Sequence, residues 1–206
     1  WGELCLSFTN SKVITIEGSN ELAKENCVFL LNHRDLYDFP IDCYITNGKS
    51  LFISRLINLY LFPIQLLFTY ICKNCFYFNR NGNIDKNKFN SDIYNKLIDS
   101  PCKNINIYPE GTRIHKTTRV RIKKGGIHLA WKYKMNIQII MTSNKEHILN
   151  LKKLSGRHNI NLYCYKSDII KPENFDNFDD FFNYIDLEWS KSWNKVFTNS
   201  KYLISN

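Results

Sequence analysis

The run Cys27-Val28-Phe29-Leu30-Leu31 constrains the fold more than any other stretch. Five apolar residues without alternation fit a strand covered on both faces, and such a strand belongs in a largely parallel sheet with helices on each side. The run breaks abruptly into Asn32-His33-Arg34-Asp35-Leu36-Tyr37-Asp38. A second strand-like run, Asn104 to Tyr108, ends as abruptly in Pro109-Glu110-Gly111-Thr112-Arg113. Polar residues just past strand ends are what an α/β sheet presents at its carboxyl edge, where binding loops gather.

The rest of the chain alternates in the same way. Lys12 to Glu17 reads as a strand closed by Gly18, and Cys75 to Asn79 as a short aromatic strand or turn before a loop at Asn81-Gly82-Asn83. A helix is expected to start between Leu36 and Pro40, capped by Asp35 or Asp38, and to stop before Asn47-Gly48. Phe89, Ile93 and Leu97 recur at helical spacing within Ile84 to Asp99. Further helices are expected from Gly126 to Lys134 and from Phe178 onward, with strands at Asn136 to Thr142 and Ile160 to Lys166. The last helix sets Phe178, Phe181, Phe182, Ile185, Trp189 and Val196 on one face, opposite Asp179, Asp180, Asp186 and Glu188. The pattern predicts one α/β domain spanning 1–206, with a mixed, largely parallel sheet flanked by helices. A chain of 206 residues can bury about 70% of its unfolded surface in one such core.

Residues 51–73 read as a helix. Positions 56–72 carry no charge, and at 100° per residue Arg55, Asn58, Gln65, Thr69 and Lys73 form one polar stripe, with Pro63 set to kink or divide the helix. A single membrane crossing here would put His33 and Glu110 on opposite sides of a bilayer. The helix is therefore either part of the core or laid in a membrane interface.

Net charge is +9, which suits anionic partners such as phosphorylated substrates or a lipid surface. Six of the twelve residues from Arg113 to Lys124 are Lys or Arg. Aromatic side chains are not interleaved with them, which argues against single-stranded nucleic acid. Seven scattered cysteines favour a reducing compartment. Cys72-Lys73-Asn74-Cys75 has no second pair or nearby histidine, so it is read as two reduced structural thiols, with no metal and no cofactor expected. None of the 26 Asn opens a glycosylation acceptor, in keeping with a cytosol-facing chain. Any N-terminal membrane anchor is expected upstream of Trp1.

His33 is the side chain best suited to take a proton near neutral pH. Residues five apart on a helix diverge by about 140°, so His33 and Asp38 can meet only if the chain turns from strand to helix between them. Asp38 can then hold one imidazole nitrogen, the orienting role of an acid in a triad. The alternative is a strand-end histidine followed by a helix-capping aspartate. In the second cluster Gly111 permits close backbone approach, Thr112 adds a hydroxyl, and Arg113 offers a guanidinium fork for phosphate. The alternative there is a turn with solvated charges.

Together these clusters resemble the glycerolipid acyltransferases, which include the glycerol-3-phosphate and lysophosphatidic acid acyltransferases. Asn32-His33 with Asp38 is similar to the family's first motif, implying His33 as general base and Asp38 as its partner. Phe78-Asn79-Arg80 looks like the second and implies an acceptor-phosphate contact by Arg80. Tyr108 to Arg113 resembles the third and implies acceptor binding by Glu110, Gly111, Thr112 and Arg113. The likeness runs from Trp1 to Ile170, and Lys124-Gly125-Gly126 with Ala130 resembles the segment that follows the third motif. The fourth motif ends in an apolar residue and proline, whereas Ile139-Ile140-Met141-Thr142 has no proline, which bears on pocket shape.

The resemblance implies transfer of a fatty acyl group from acyl-CoA to a lysophospholipid or glycerol phosphate, most simply lysophosphatidic acid, at the cytosolic face of an internal membrane. A thioester is already activated, so a base and oxyanion donors suffice and no Ser or Cys nucleophile is needed. The competing class is a non-catalytic peripheral protein that binds anionic lipid through residues 113–124.

Overall fold

The computed structural model describes residues 2–35, 37–61, 63–79, 85–114, 118–150 and 155–204. The chain opens with α1 (Gly2–Phe8), β1 (Lys12–Thr15), β2 (Cys27–Leu31), α2 (Asp38–Ile45) and β3 (Ser50–Arg55). Two short helices follow, α3 (Ile57–Leu61) and α4 (Pro63–Cys72), then β4 (Cys75–Phe78), α5 (Lys86–Ile98) and β5 (Asn104–Ile107). After α6 (Lys124–Lys132) and β6 (Asn136–Thr142) come α7 (Lys145–Ile148) and a small hairpin of β7 (Leu149–Asn150) and β8 (Ser155–Gly156). β9 (Asn161–Lys166) and the long α8 (Phe178–Phe197) complete the domain.

Seven strands form one sheet in the order β1-β9-β6-β2-β5-β3-β4. All pairings are parallel except β6 with β9. β2 is central, with Cys27 opposite Asn104 of β5 and Asn136 of β6, and all five of its residues are buried. Because side chains alternate across a strand, β2 feeds two cores. Val28 and Leu30 join Leu51, Ile105, Ile137 and Ile139 beneath α8, whereas Cys27, Phe29 and Leu31 meet Ile41, Ile140 and Leu162. α8 buries Phe181, Phe182, Ile185, Trp189, Trp193, Val196 and Phe197 on the first side. That is the apolar face expected from its spacing, extended by Trp193 and Phe197, with Phe178 only half-buried. Its acidic face is not simply solvated, since Asp179 and Asp186 pair with Lys124 and Arg119 of the basic run.

Two expectations are corrected. Residues 51–73 are not one helix: Leu51 and Phe52 are buried in β3, and helical residues begin only at Ile57, with α4 starting at Pro63. Neither Asp35 nor Asp38 caps α2. Tyr37 stands at the cap position without a side-chain hydrogen bond, and Asp38, the first helical residue, turns its carboxylate to His33 and the Arg34 N–H.

Candidate active site

The loops that follow β2, β5 and β6, three neighbouring parallel strands, converge on one spot. Asn32 locks two of these ends together, donating to the Thr142 carbonyl at 2.9 Å and accepting from the Thr142 N–H at 2.8 Å. Its side chain thus extends the β2–β6 ladder beyond the strands. The His33 backbone is held at both polar groups: its N–H donates to Glu110 Oε1 at 3.3 Å, and its carbonyl accepts from the Ile114 N–H at 2.8 Å.

Within this grip the chain turns from strand to helix, and Asp38, the first residue of α2, folds back. Its Oδ2 lies 2.8 Å from His33 Nδ1 and also accepts the Arg34 N–H. The imidazole stacks on Tyr108, with ring centroids 4.4 Å apart and planes inclined by 20°. The Tyr108 hydroxyl donates to Asp42 Oδ2 at 2.7 Å.

Charge in this cluster is concentrated and buried. Burial pushes the Asp38 carboxyl up, but Lys145, His33 and the Arg34 N–H outweigh it and hold the group below the usual carboxylate range. Asp42, buried beside Asp38, is raised to about 6 despite Lys145. Glu110 is raised by its burial to about 8.

His33, Asp38, Tyr108, Gly111, Thr112 and Arg113 line one cavity of about 1110 Å³. Its lining combines the apolar Phe39, Phe52, Phe89 and Ile93 with the cationic Arg55, Lys123 and Lys124. Gly111 takes a φ of +68°, a conformation that favours glycine, whereas the atoms nearest an added Cβ belong to the flexible end of Lys123 and could move aside. Arg113 is 43% exposed and sits 3.8 Å from Asp35. Glu110 does not line the cavity: its side chain is buried beneath the His33 loop. Arg80 lies outside the described residues.

Three contributors escape a reading of the chain alone. Asp42 follows Asp38 by four residues, which on a helix is a shared face and was a usable signal. Tyr108 stood inside the second cluster without a role. Lys145, fully buried, had no signal, since it follows Ser143-Asn144 in an unpatterned polar stretch. Among the described residues no group of three or more His, Cys, Asp or Glu is placed to hold a metal ion.

A family model described as Acyltransferase matches residues 13–143. The 1-acyl-sn-glycerol-3-phosphate acyltransferase of Saccharomyces cerevisiae is 27% identical over 153 residues, covering 68% of this chain and 46% of that protein. The chain therefore matches somewhat less than half the length of that relative. The crystal structure of the 1-acyl-sn-glycerophosphate (LPA) acyltransferase PlsC from Thermotoga maritima superposes with a TM-score of 0.74 at 16% identity, covering 100% of this chain and 78% of that one. At that identity the likeness speaks for the fold.

Proposed function

The chain belongs to the acyltransferase family, and from that membership we propose that it transfers a fatty acyl group from acyl-CoA to the free hydroxyl of lysophosphatidic acid or a close lysophospholipid. The observation that carries this reading is the 2.8 Å contact between His33 Nδ1 and Asp38 Oδ2 at the wall of a large, half-apolar cavity. With Nδ1 engaged, Nε2 is the nitrogen left to take a proton. The acceptor hydroxyl loses its proton to His33 as its oxygen attacks the thioester carbonyl. The tetrahedral intermediate then expels the CoA thiolate, which recovers the proton from the imidazolium, and Asp38 balances the charge on the ring meanwhile. An alcohol and a thioester become an ester and a thiol, with no covalent enzyme intermediate.

Arg113, on the cavity wall, has the fork geometry for an acceptor phosphate, and Arg80 is proposed as a second contact on the resemblance alone. Gly111 and Thr112 shape the same wall. Glu110 supports acceptor binding indirectly, by fixing the His33 backbone.

We also propose that α3 and α4 rest on the membrane that supplies the acceptor. Ile57, Tyr60, Leu67, Tyr70 and Ile71 are exposed, Tyr60 by 79% and Tyr70 by 78%, while the polar Thr69 is buried against the Tyr77 hydroxyl. That arrangement inverts a solvated helix and suits an interfacial one. No helix among the described residues is long and apolar enough to cross a membrane. Ile57 and Arg55 also line the cavity, which supports this reading by putting the start of α3 beside it.

The test is incubation of the protein with labelled acyl-CoA and a panel of lysophospholipids and glycerol 3-phosphate, followed by lipid separation. Label in phosphatidic acid, absent with His33→Ala, is the expected result. Absence of any labelled acceptor with the unmodified protein would overturn the reading.

A further inference from the structure

The most deeply buried cation near the site belongs to none of the motifs. Lys145 opens α7 with 0% exposure. Its ammonium donates to the Asn32 carbonyl at 2.6 Å and to both Asp42 carboxylate oxygens, at 3.1 and 3.0 Å. It lies 3.7 Å from Asp38 Oδ1, an oxygen that is buried and makes no hydrogen bond. Asp38 thus shows one oxygen to His33 and turns the other toward Lys145.

We infer that Lys145 is a positioning residue for the His33–Asp38 pair, a buried counter-charge behind Asp38 that also braces, through Asp42 and the Tyr108 hydroxyl, the ring on which His33 stacks. The inference rests on the reading of His33 as the base.

The geometry separates this role from a plain structural ion pair. A lysine serving only to join α7 to α2 needs one carboxylate partner. Here the ammonium sits between two, and the nearer of them is secured twice over, by Lys145 and by Tyr108. One of the two carboxylates is the acid that orients His33. The groups facing the cluster come from every element around it: Asp38 and Asp42 from α2, Tyr108 and Glu110 from the end of β5, and Cys164 from β9. Asp38 lies below the usual carboxylate range and Lys145 above the usual lysine value, because each gains from the other despite burial. With Asp42 at about 6 and Glu110 at about 8, the cluster near pH 7 holds two carboxylates, one ammonium and a largely neutral Glu110. One negative charge is left over, enough to balance one imidazolium. Without Lys145 the acid behind His33 would be less well fixed, and the dyad would hold its proton more tightly.

Lys145→Met alone would strand two buried carboxylates and endanger the fold. The double variant Lys145→Met/Asp42→Leu removes the pair together, a change that buried ion pairs commonly tolerate. Expected for the double variant are a melting temperature near wild type, kcat down about tenfold and acceptor KM within about twofold. The acid limb of its kcat/KM profile should move to higher pH by about half a unit or more. A folded double variant with wild-type kcat and acid limb would overturn the inference. Loss of the fold in both variants would also overturn it, assigning Lys145 to stability alone. His33→Ala measured in parallel keeps the two readings apart. If it turns over normally the base assignment falls, whereas if it is inactive beside a wild-type-like double variant only the role of Lys145 falls.

Discussion

The His33 imidazole lies flat on the Tyr108 ring, centroids 4.4 Å apart, while its Nδ1 is held in its own plane by Asp38 at 2.8 Å. Two perpendicular restraints, one on the face and one on the edge, leave the ring little freedom to rotate. A base fixed in this way spends no time searching for the hydroxyl it must deprotonate. Tyr108 is therefore more than the first letter of a motif, being the surface against which the base is set.

Replacing His33 by Ala is expected to lower kcat by ~10²–10⁴-fold with acceptor KM little changed, as for loss of a general base. Asp38→Asn should also lower kcat while the fold survives, since the amide still fills the site between His33 and the Arg34 N–H. Initial rates against acceptor and donor, with a thermal melt for each variant, check both outcomes.

Stability should fall as pH rises from about 5 to about 8. Glu110 is raised by burial from an ordinary 4.5 to about 8, so the folded protein keeps a proton that the unfolded chain releases. Its contribution is complete below about 4.5 and is lost progressively up to about 8. Asp42, raised from 3.8 to about 6, acts in the same direction over a lower window. Asp38 is shifted the other way, so its contribution weakens only in acid, below that range. The melting temperature should drop by on the order of 5 °C across the interval, and Glu110→Gln should flatten the slope. Scanning calorimetry at pH 5, 6, 7 and 8 reads this directly.

Arg113→Lys keeps the charge but loses the fork, so acceptor KM should rise several-fold while KM for acyl-CoA stays nearly constant. Neutralising Arg121 or Lys123 should instead weaken donor or membrane attraction by about 1 kcal/mol or less, and only at low salt. Two substrate titrations at two ionic strengths separate these effects. A rise confined to the donor KM in Arg113→Lys would move that guanidinium to the CoA phosphates.

The exposed face of α3 and α4 predicts a clean dissociation of binding from folding. The double variant Tyr60→Lys/Tyr70→Lys alters only positions already 79% and 78% exposed, so its melting temperature should match wild type. Its flotation with zwitterionic liposomes, to which the added charges gain no attraction of their own, should fall by tenfold or more, on the order of the loss expected when apolar contacts with the interface become charged. Leu59 and Phe62, apolar positions away from the polar stripe and thus also suited to such a test, have side chains outside the described residues.

The parts of this molecule legible in the sequence are those written in local pattern. β2 followed from five consecutive apolar residues, and the meeting of His33 with Asp38 followed from their spacing together with a forced change of secondary structure between them. β3 was misread because Leu51-Phe52-Ile53 runs on into the apolar 56–72 stretch, and a short apolar run carries no period of its own. Asp38 was a plausible cap by residue type, but a carboxylate beside an imidazole and a buried ammonium has stronger partners than a helix N-terminus. Lys145 was illegible for a plainer reason. Nothing in Ser143-Asn144-Lys145-Glu146 distinguishes a surface lysine from a buried one, and only the register of β6 against β2 puts it under the site.

The interleaving of β1 with β9 has a consequence for when activity arises. Lys12 is paired with Asn161, the His33 N–H meets an acid 77 residues onward, and the Asn32 carbonyl meets a lysine 113 residues onward. Contacts of such long sequence separation form late and slow a folding reaction. During synthesis the nascent chain carries its base and Asp38 from early on but lacks Tyr108, Glu110 and Lys145, which complete the site, until the latter half has emerged. In refolding experiments, recovery of turnover should therefore lag behind recovery of helical signal and coincide with closure of the sheet.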